Sequence, residues 1–448
     1  MTQPAVVSVN AGTAATLAST TALVLTGGGA RAAYQVGVLK GLARLRRDAH
    51  ARRGNPFPVI VGTSAGAINA AALASHADQF DLAVAKINDV WKNLHTERVY
   101  RADSFGVINT GAKWLTMLTA GWAFTRWRKA KARSLLDNTP LRGLLDELVH
   151  LQRLPDVMRA GHLRSLAITA SSYSSGDHVT FYESVDGVEP WSRQHRRSVR
   201  GRISIDHLMA SSAIPFVFPA MPVPFEGHTE WFGDGSMRQS APISPAVHLG
   251  AQRVLVVGAG RMQEPTGHRR GADESPNLAQ IAGHALSSIF LDSLATDIER
   301  LTRINKTLAL MSDDALAHTP LRPIETLVIA PTLRLDDLAG RFLHELPTPV
   351  RALLRAVGVE GRGADARGSA LASYLLFEPS YIKTLMMLGE ADTLARRDEV
   401  QLFFGWNAPS RTLRSPRPEG AVSDFGQSGS ADGAAALAHE RDPRGDRG

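Results

Sequence analysis

Cysteine is absent from the 448 residues, which excludes disulfides and thiolate chemistry and fits a reducing compartment without proving one. No Lys or Arg precedes Arg31. A secretory signal opens on basic residues before its apolar stretch, so none is expected here. No window reaches ~18 consecutive apolar residues, the length a membrane-crossing helix needs. Together these absences predict a cytoplasmic protein, peripheral at the membrane if it meets one. No recognised nucleic-acid motif accompanies the basic stretches, so nucleic acid is not an expected partner. What is present is a globular composition, 44% hydrophobic and 21% charged, with a net charge of +7.

The first 20 residues are small, polar and aperiodic and read as a loose arm. Strand 22–26, helix 31–47, strand 59–61 and helix 65–74 then alternate, which predicts a mainly parallel α/β sheet with helices on both faces. Further strands are expected at 163–172, 178–184, 229–235, 253–260 and 325–331, and a helix at 135–149. After residue 260 comes a Pro/Gly/charge-rich loop, 261–277. An amphipathic helix at 285–305 and helical stretches at 333–358 and 371–396 follow it. The expected domains are a catalytic one at 21–260 and a helical extension with one added strand at 261–408. Residues 409–448 have few large apolar side chains and read as a disordered tail.

Three short stretches carry chemistry. GTSAG, residues 62–66, is a G-x-S-x-G pattern between an apolar strand and a small-residue helix. That context is what a nucleophile elbow needs, with Gly62 and Gly66 clearing space around Ser64. The alternative is a strand-to-helix turn without chemistry. GGGAR, residues 27–31, also joins a strand to a helix. Its glycines let the backbone approach a ligand, and the helix N-terminus favours an anion, either a phosphate or an oxyanion. It lacks the G-x-G-x-x-G spacing of a dinucleotide site and the G-K-[ST] of a P-loop.

The base for Ser64 is harder to find. His76 lies twelve residues along, about 18 Å away on a helix. His207, His248, His284, His318 and His344 each read as surface residues. Asp234, in WFGDGSM, ends an apolar strand in a Gly-flanked turn. Such an acid is usually a turn residue, but a carboxylate against a hydroxyl in a site closed to water can serve as general base.

Taken in order, GGGAR, GTSAG and DGS resemble the patatin-like phospholipases, as do ASSAIPFVFPAM (210–221) and SAPISPAVHLGA (240–251). The resemblance covers about 21–260. It implies a three-layer patatin-like fold and lipid acyl-ester hydrolysis of the phospholipase A or lysophospholipase type by a Ser–Asp dyad. In this chain that makes Ser64 the nucleophile and Asp234 the base. The amides of Gly27, Gly28 and Gly29 would be the oxyanion donors, and Arg31 matches the family's basic position in that loop. The dyad needs no metal or cofactor. Two positions depart from the family: Ala32 stands where a glycine is usual, and Ser236 makes D-G-G into D-G-S. Ala32 is harmless if its backbone is right-handed helical.

Residues 101–133 hold seven basic side chains against Asp103 alone, and Trp114, Trp122 and Trp127 fall within 113–133. Trp beside Lys/Arg is how a segment lies on an anionic bilayer, so 113–133 is the expected peripheral contact. The other reading is a helix packed over the active site. The arginines at 193–202 read as a solvated loop. Lipid transacylation and non-catalytic lipid or membrane binding are the rival functions, and the oligomeric state is left open.

Overall fold

The runs TALVL and VIVGT have no charged side chain, and both form central strands buried along their whole length: β1 (Thr21–Leu25) and β2 (Val59–Thr63). Strands covered on both faces read as continuous apolar runs rather than alternating ones. The computed structural model describes residues 20–51, 54–103, 134–262, 275–361 and 367–406, all within one compact unit. The other strands are β3 (Ser165–Ser172), β4 (His178–Ser184), β5 (Ser192–Arg193), β6 (Arg196–Arg200), β7 (Met221–Phe225), β8 (His228–Asp234), β9 (Arg253–Val257) and β10 (Glu325–Ile329). They form one sheet in the order β10-β9-β1-β2-β3-β4-β6-β5, with β8 joining β3 and β7 joining β8. The run from β10 to β3 is parallel. β3 meets β4 and β8 antiparallel, so the sheet is mixed and mostly parallel.

Helices cover both faces. Leu23 and Leu25 of β1 point into the larger core with α1 (Ala33–Asp48), α2 (Ala65–Ala74) and α3 (Phe80–Lys92). Further along the chain come α4 (Thr139–Leu148), α5 (Ile205–Ser211), α6 (Leu278–Ser287) and α7 (Ser293–Leu308). Later still come α8 (Leu335–Ala339), α9 (Thr348–Ala356), α10 (Ser369–Ser373) and α11 (Pro379–Ala395), with a short helix Arg397–Phe404 after them. Ala22 and Val24 point the other way, into a second core with Leu249 and with Leu294 of α7. This is the expected three-layer arrangement, with C-terminal helices added.

Several boundaries differ from expectation for identifiable reasons. The expected helix at 285–305 is two helices, α6 and α7, joined by a π-helical turn at Ser288–Asp292; the apolar spacing is helical throughout and does not register the extra residue. The arginines at 193–202 are not a loop: Arg193, Arg196, Arg197 and Arg200 lie in the β5–β6 hairpin at the sheet edge. Charged side chains on an edge strand discourage pairing with another chain, and they also hide the strand from apolar patterning. β7 carries Pro222 and Pro224, which fit a strand with one free edge. The contact expected at 113–133, the tail 409–448, most of the loop 261–277 and all but the last residue of the N-terminal arm lie outside the described residues. Among the described residues no helix is long and apolar enough to cross a membrane.

Candidate active site

Ser64 and Asp234 meet because of one edge of β3. β2 pairs with β3 up to Thr63, opposite Thr169, and then leaves the sheet. The next residue of β3, Ala170, pairs instead with Asp234, the last residue of the incoming antiparallel strand β8. The residue that follows one strand and the residue that ends the other therefore occupy adjacent places on the same edge. Ser64 Oγ donates to Asp234 Oδ2 at 2.5 Å, and the two residues are 1% and 0% exposed.

The turn at Ser64 is held in an unfavourable conformation. Its φ of 56° and ψ of −131° are positive-φ backbone on a residue with a side chain, a strain that persists only where the surroundings enforce it. Gly66 is part of that enforcement: a Cβ there would lie 2.4 Å from the Leu25 carbonyl oxygen. The Ser64 N–H donates to Ser211 Oγ at 2.8 Å, which seats the turn on α5. Ser211 drew no attention in the sequence; only the packing of α5 across β3 and β8 gives it a role.

Burial pushes the Asp234 carboxyl up to about 6, although the Ser64 hydroxyl and the Ser236 amide both favour its ionised form. The Ser236 N–H donates to Asp234 Oδ1 at 2.8 Å, so one carboxylate oxygen is held by backbone and the other faces Ser64. Among the described residues Ser236 Oγ has no partner, and a Cβ on Gly27 would come within 2.4 Å of it. The hydrogen bond to Asp234 comes from the amide, which any residue supplies, and the Ser236 hydroxyl adds a weaker pull toward the ionised carboxylate. Ser236→Gly should leave ester turnover within about threefold of wild type, because a hydroxyl without a partner contributes little. A loss beyond about tenfold in kcat/KM would give the hydroxyl a part of its own. Ala32 has φ −65° and ψ −9°, right-handed backbone, so this departure from glycine carries no steric cost.

The glycine loop also borders the site. Gly27, Gly28 and Gly29 are buried, and none of their N–H groups donates to a described residue. Gly29 lines a cavity with Ser64. Its φ is +53°, and a Cβ there would lie 2.3 Å from the Tyr374 carbonyl oxygen. The neighbouring Ala30 N–H donates to that same carbonyl at 3.0 Å.

Arg31 departs from expectation. Its guanidinium is not free to join the glycine amides in holding an anion: Nε donates to Ser373 Oγ at 2.8 Å, and a terminal nitrogen is ion-paired with Asp336. The guanidinium carbon also sits 3.9 Å above the Tyr374 ring. Arg31 therefore ties the loop to α8 and α10. These partners lie more than 300 residues along the chain, which no local pattern reveals.

The cavity beside Ser64 has a volume of about 40 Å³ and is walled by Ile68, Trp91, Leu144, Phe218 and Phe377. A buried polar chain supports it. Trp91 Nε1 donates to Asn69 Oδ1 at 2.8 Å, Asn69 Nδ2 to Gln35 Oε1 at 3.1 Å, and Gln35 Nε2 to the Thr26 carbonyl at 2.7 Å. This chain links the wall of the cavity to the residue just before the glycine loop. An apolar cavity with few polar groups at one end suits a ligand with a long hydrocarbon part.

Among the described residues no histidine takes the place of Asp234. His207 caps α5 through Ser204 and packs at a tilt against Phe181, and His248 stacks on Trp191. These two are half-buried packing residues rather than surface ones, while His284, His318 and His344 are exposed. Among the described residues no cluster of His, Asp and Glu could hold a metal ion.

The fold brings a strained serine, a carboxylate and a glycine loop together, and the sequence comparison identifies the family. The family model described as patatin-like phospholipase matches residues 23–247, half of the chain. The chain belongs to the patatin-like phospholipase family. No curated protein matches it in sequence. Among solved structures it is similar to VipD from Legionella pneumophila, at 13% identity and a TM-score of 0.26, covering 82% of this chain and 67% of that one. It is also similar to human GIVD cytosolic phospholipase A2 in complex with methyl gamma-linolenyl fluorophosphonate. That match has 12% identity and a TM-score of 0.36, and covers 86% of this chain and 59% of that one.

Proposed function

We propose that the protein is a serine lipid acyl hydrolase of the phospholipase A or lysophospholipase type, working through a Ser64–Asp234 dyad. The observation that carries this reading is the 2.5 Å hydrogen bond from Ser64 Oγ to a fully buried carboxylate. Asp234 takes the hydroxyl proton as Ser64 Oγ attacks the ester carbonyl. The free N–H groups of the glycine loop hold the oxyanion of the tetrahedral intermediate. Asp234 then gives the proton to the departing alcohol, leaving an acyl-serine. A water molecule that loses its proton to Asp234 attacks this ester, and the second tetrahedral intermediate releases the fatty acid and restores Ser64. The strained backbone at Ser64 keeps the hydroxyl at the mouth of the apolar cavity, where the acyl chain lies.

The test is a panel of phospholipids, lysophospholipids and glycerides incubated with wild type and Ser64→Ala, with products read by mass spectrometry. Wild type should release free fatty acid, and the variant should not. Acyl transfer to an added glyceride in place of fatty-acid release would assign transacylation. Lipid bound but unchanged by wild type would assign a binding protein.

A further inference from the structure

A second apolar space adjoins the cavity at Ser64. The two are separated by a single stretch of chain, residues 214–218: Ile214 and Phe218 face the Ser64 cavity, while Pro215, Phe216 and Val217 line the second space. The same division recurs near α10, where Phe377 lines the first and Leu375 the second. The second space has a volume of about 270 Å³, and it is lined from α6 by Ala282 and Leu286 and from α9 by Leu353 and Leu354. Every residue that lines it is aliphatic, aromatic or proline. Its rim is apolar too: Phe216 is 77% exposed and Leu278 69%.

Phe216 is held there against its own preference. Its φ is +65°, a conformation that residues bearing a side chain disfavour. It is fixed from the other strand of chain: the Leu135 N–H donates to the Phe216 carbonyl at 2.8 Å and the Leu136 N–H to that of Val217 at 2.8 Å. Strain that presents an aromatic ring to solvent beside an apolar groove stabilises nothing within the fold and points to a bound partner.

We infer that this groove holds the second hydrocarbon chain of a two-chain lipid whose other chain enters the cavity at Ser64, an inference that rests on the hydrolase reading above. Adjacency to the Ser64 cavity across residues 214–218 and the makeup of the lining select this occupant. An extended peptide would bring N–H and C=O groups, and the lining side chains offer them no partner. A hydrocarbon chain brings none. The glycerol of a two-chain lipid carries its chains on neighbouring carbons. Two apolar spaces divided by one stretch of backbone can therefore take one chain each, with 214–218 between them. The site is thereby matched to diacyl lipids over lysolipids.

Two measurements on the full chain test this. In the first, Ser64→Ala protein is photolabelled with a long-chain fatty acid carrying a diazirine, and the labelled residues are mapped by mass spectrometry. Label is expected at Ile289 or Leu353 in the groove as well as at Trp91 or Leu144 in the cavity. Ala282→Trp, which fills the groove from α6, should cut the groove label at least tenfold. Label confined to the cavity overturns the proposal, whether the groove is filled by another segment of the chain or by a second copy. In the second, the ratio of kcat/KM for a diacyl phospholipid to that for its lysophospholipid is compared in wild type, Ala282→Trp and Leu353→Trp. The ratio should fall at least tenfold in both variants, and an unchanged ratio overturns the two-chain assignment. The labelling needs no turnover, so it decides occupancy of the groove even if wild type cleaves no lipid, the outcome that would instead sink the hydrolase reading.

Discussion

Asp234→Asn should lower lipid-ester turnover by at least ~10⁴ and at the same time stabilise the folded protein above pH 6. Removal of one member of a nucleophile–base unit costs about 10⁴–10⁶ in other serine hydrolases, and Ser64→Ala should lose as much. Asparagine keeps the shape and still accepts from the Ser236 amide, but it cannot take the Ser64 proton. The stability gain follows from burial. Asp234 titrates at about 6 in the folded chain, against ~3.9 when exposed. Its folded value is raised, so the protonated carboxyl favours the fold below pH ~4, and this contribution is lost as pH rises through 6. Above that, the fold carries a buried anion, and replacing it with a neutral amide should return about 1–2 kcal/mol. The same titration predicts that kcat/KM of wild type falls as pH drops through about 6, because the protonated acid is no longer a base. Thermal melts at pH 8 and a pH–rate profile check both halves. A variant that keeps a tenth or more of the activity would remove Asp234 from the chemistry.

Gly29→Ala should reduce kcat by ~10² or more with little change in KM, the signature of lost oxyanion stabilisation. The residue has φ +53°, and the added methyl would lie 2.3 Å from the Tyr374 carbonyl. The loop must therefore move, and the seat it loses is the one that also holds the Ala30 N–H. A stopped-time assay on a soluble short-chain ester separates this effect from lipid access. Unchanged kcat would place the oxyanion donors elsewhere. Gly28→Val makes a parallel test, since a Cβ at Gly28 would meet the Ala259 side chain at 2.5 Å.

How much of this was legible in the sequence depends on whether the signal is local. The turn at Ser64 was legible because the apolar VIV, the glycines and the alanine run lie within sixteen residues, and α2 spans the expected 65–74. Asp234 could be singled out as an acid in a glycine turn. Its place beside Ser64, 170 residues away in the chain, depends on the antiparallel register of β8 along β3, and no periodicity encodes that. β5, β6 and β7 were invisible because charge and proline disguise edge strands. The basic residue after GGGA was plain. That its partners are Asp336, Ser373 and Tyr374 was not, since those lie in ordinary-looking helices. Ser211 was equally hidden, one serine among several in its stretch.

The seat of the glycine loop carries a further meaning for how the protein is made. The loop is synthesised well before Asp336, Ser373 and Tyr374, which lie more than 300 residues further along the chain. α1 follows the loop and packs on α11, where Tyr34 Oη donates to Asp392 at 2.9 Å. Such distant pairings form late, because a long stretch of chain must be gathered before they repay the cost of closing it. A growing chain emerging from the ribosome therefore displays the serine long before it can shape the loop beside it. The glycine loop therefore reaches its seated form only when α8, α10 and Tyr374 are in place, so chain collapse at the far end sets the shape of the loop beside Ser64.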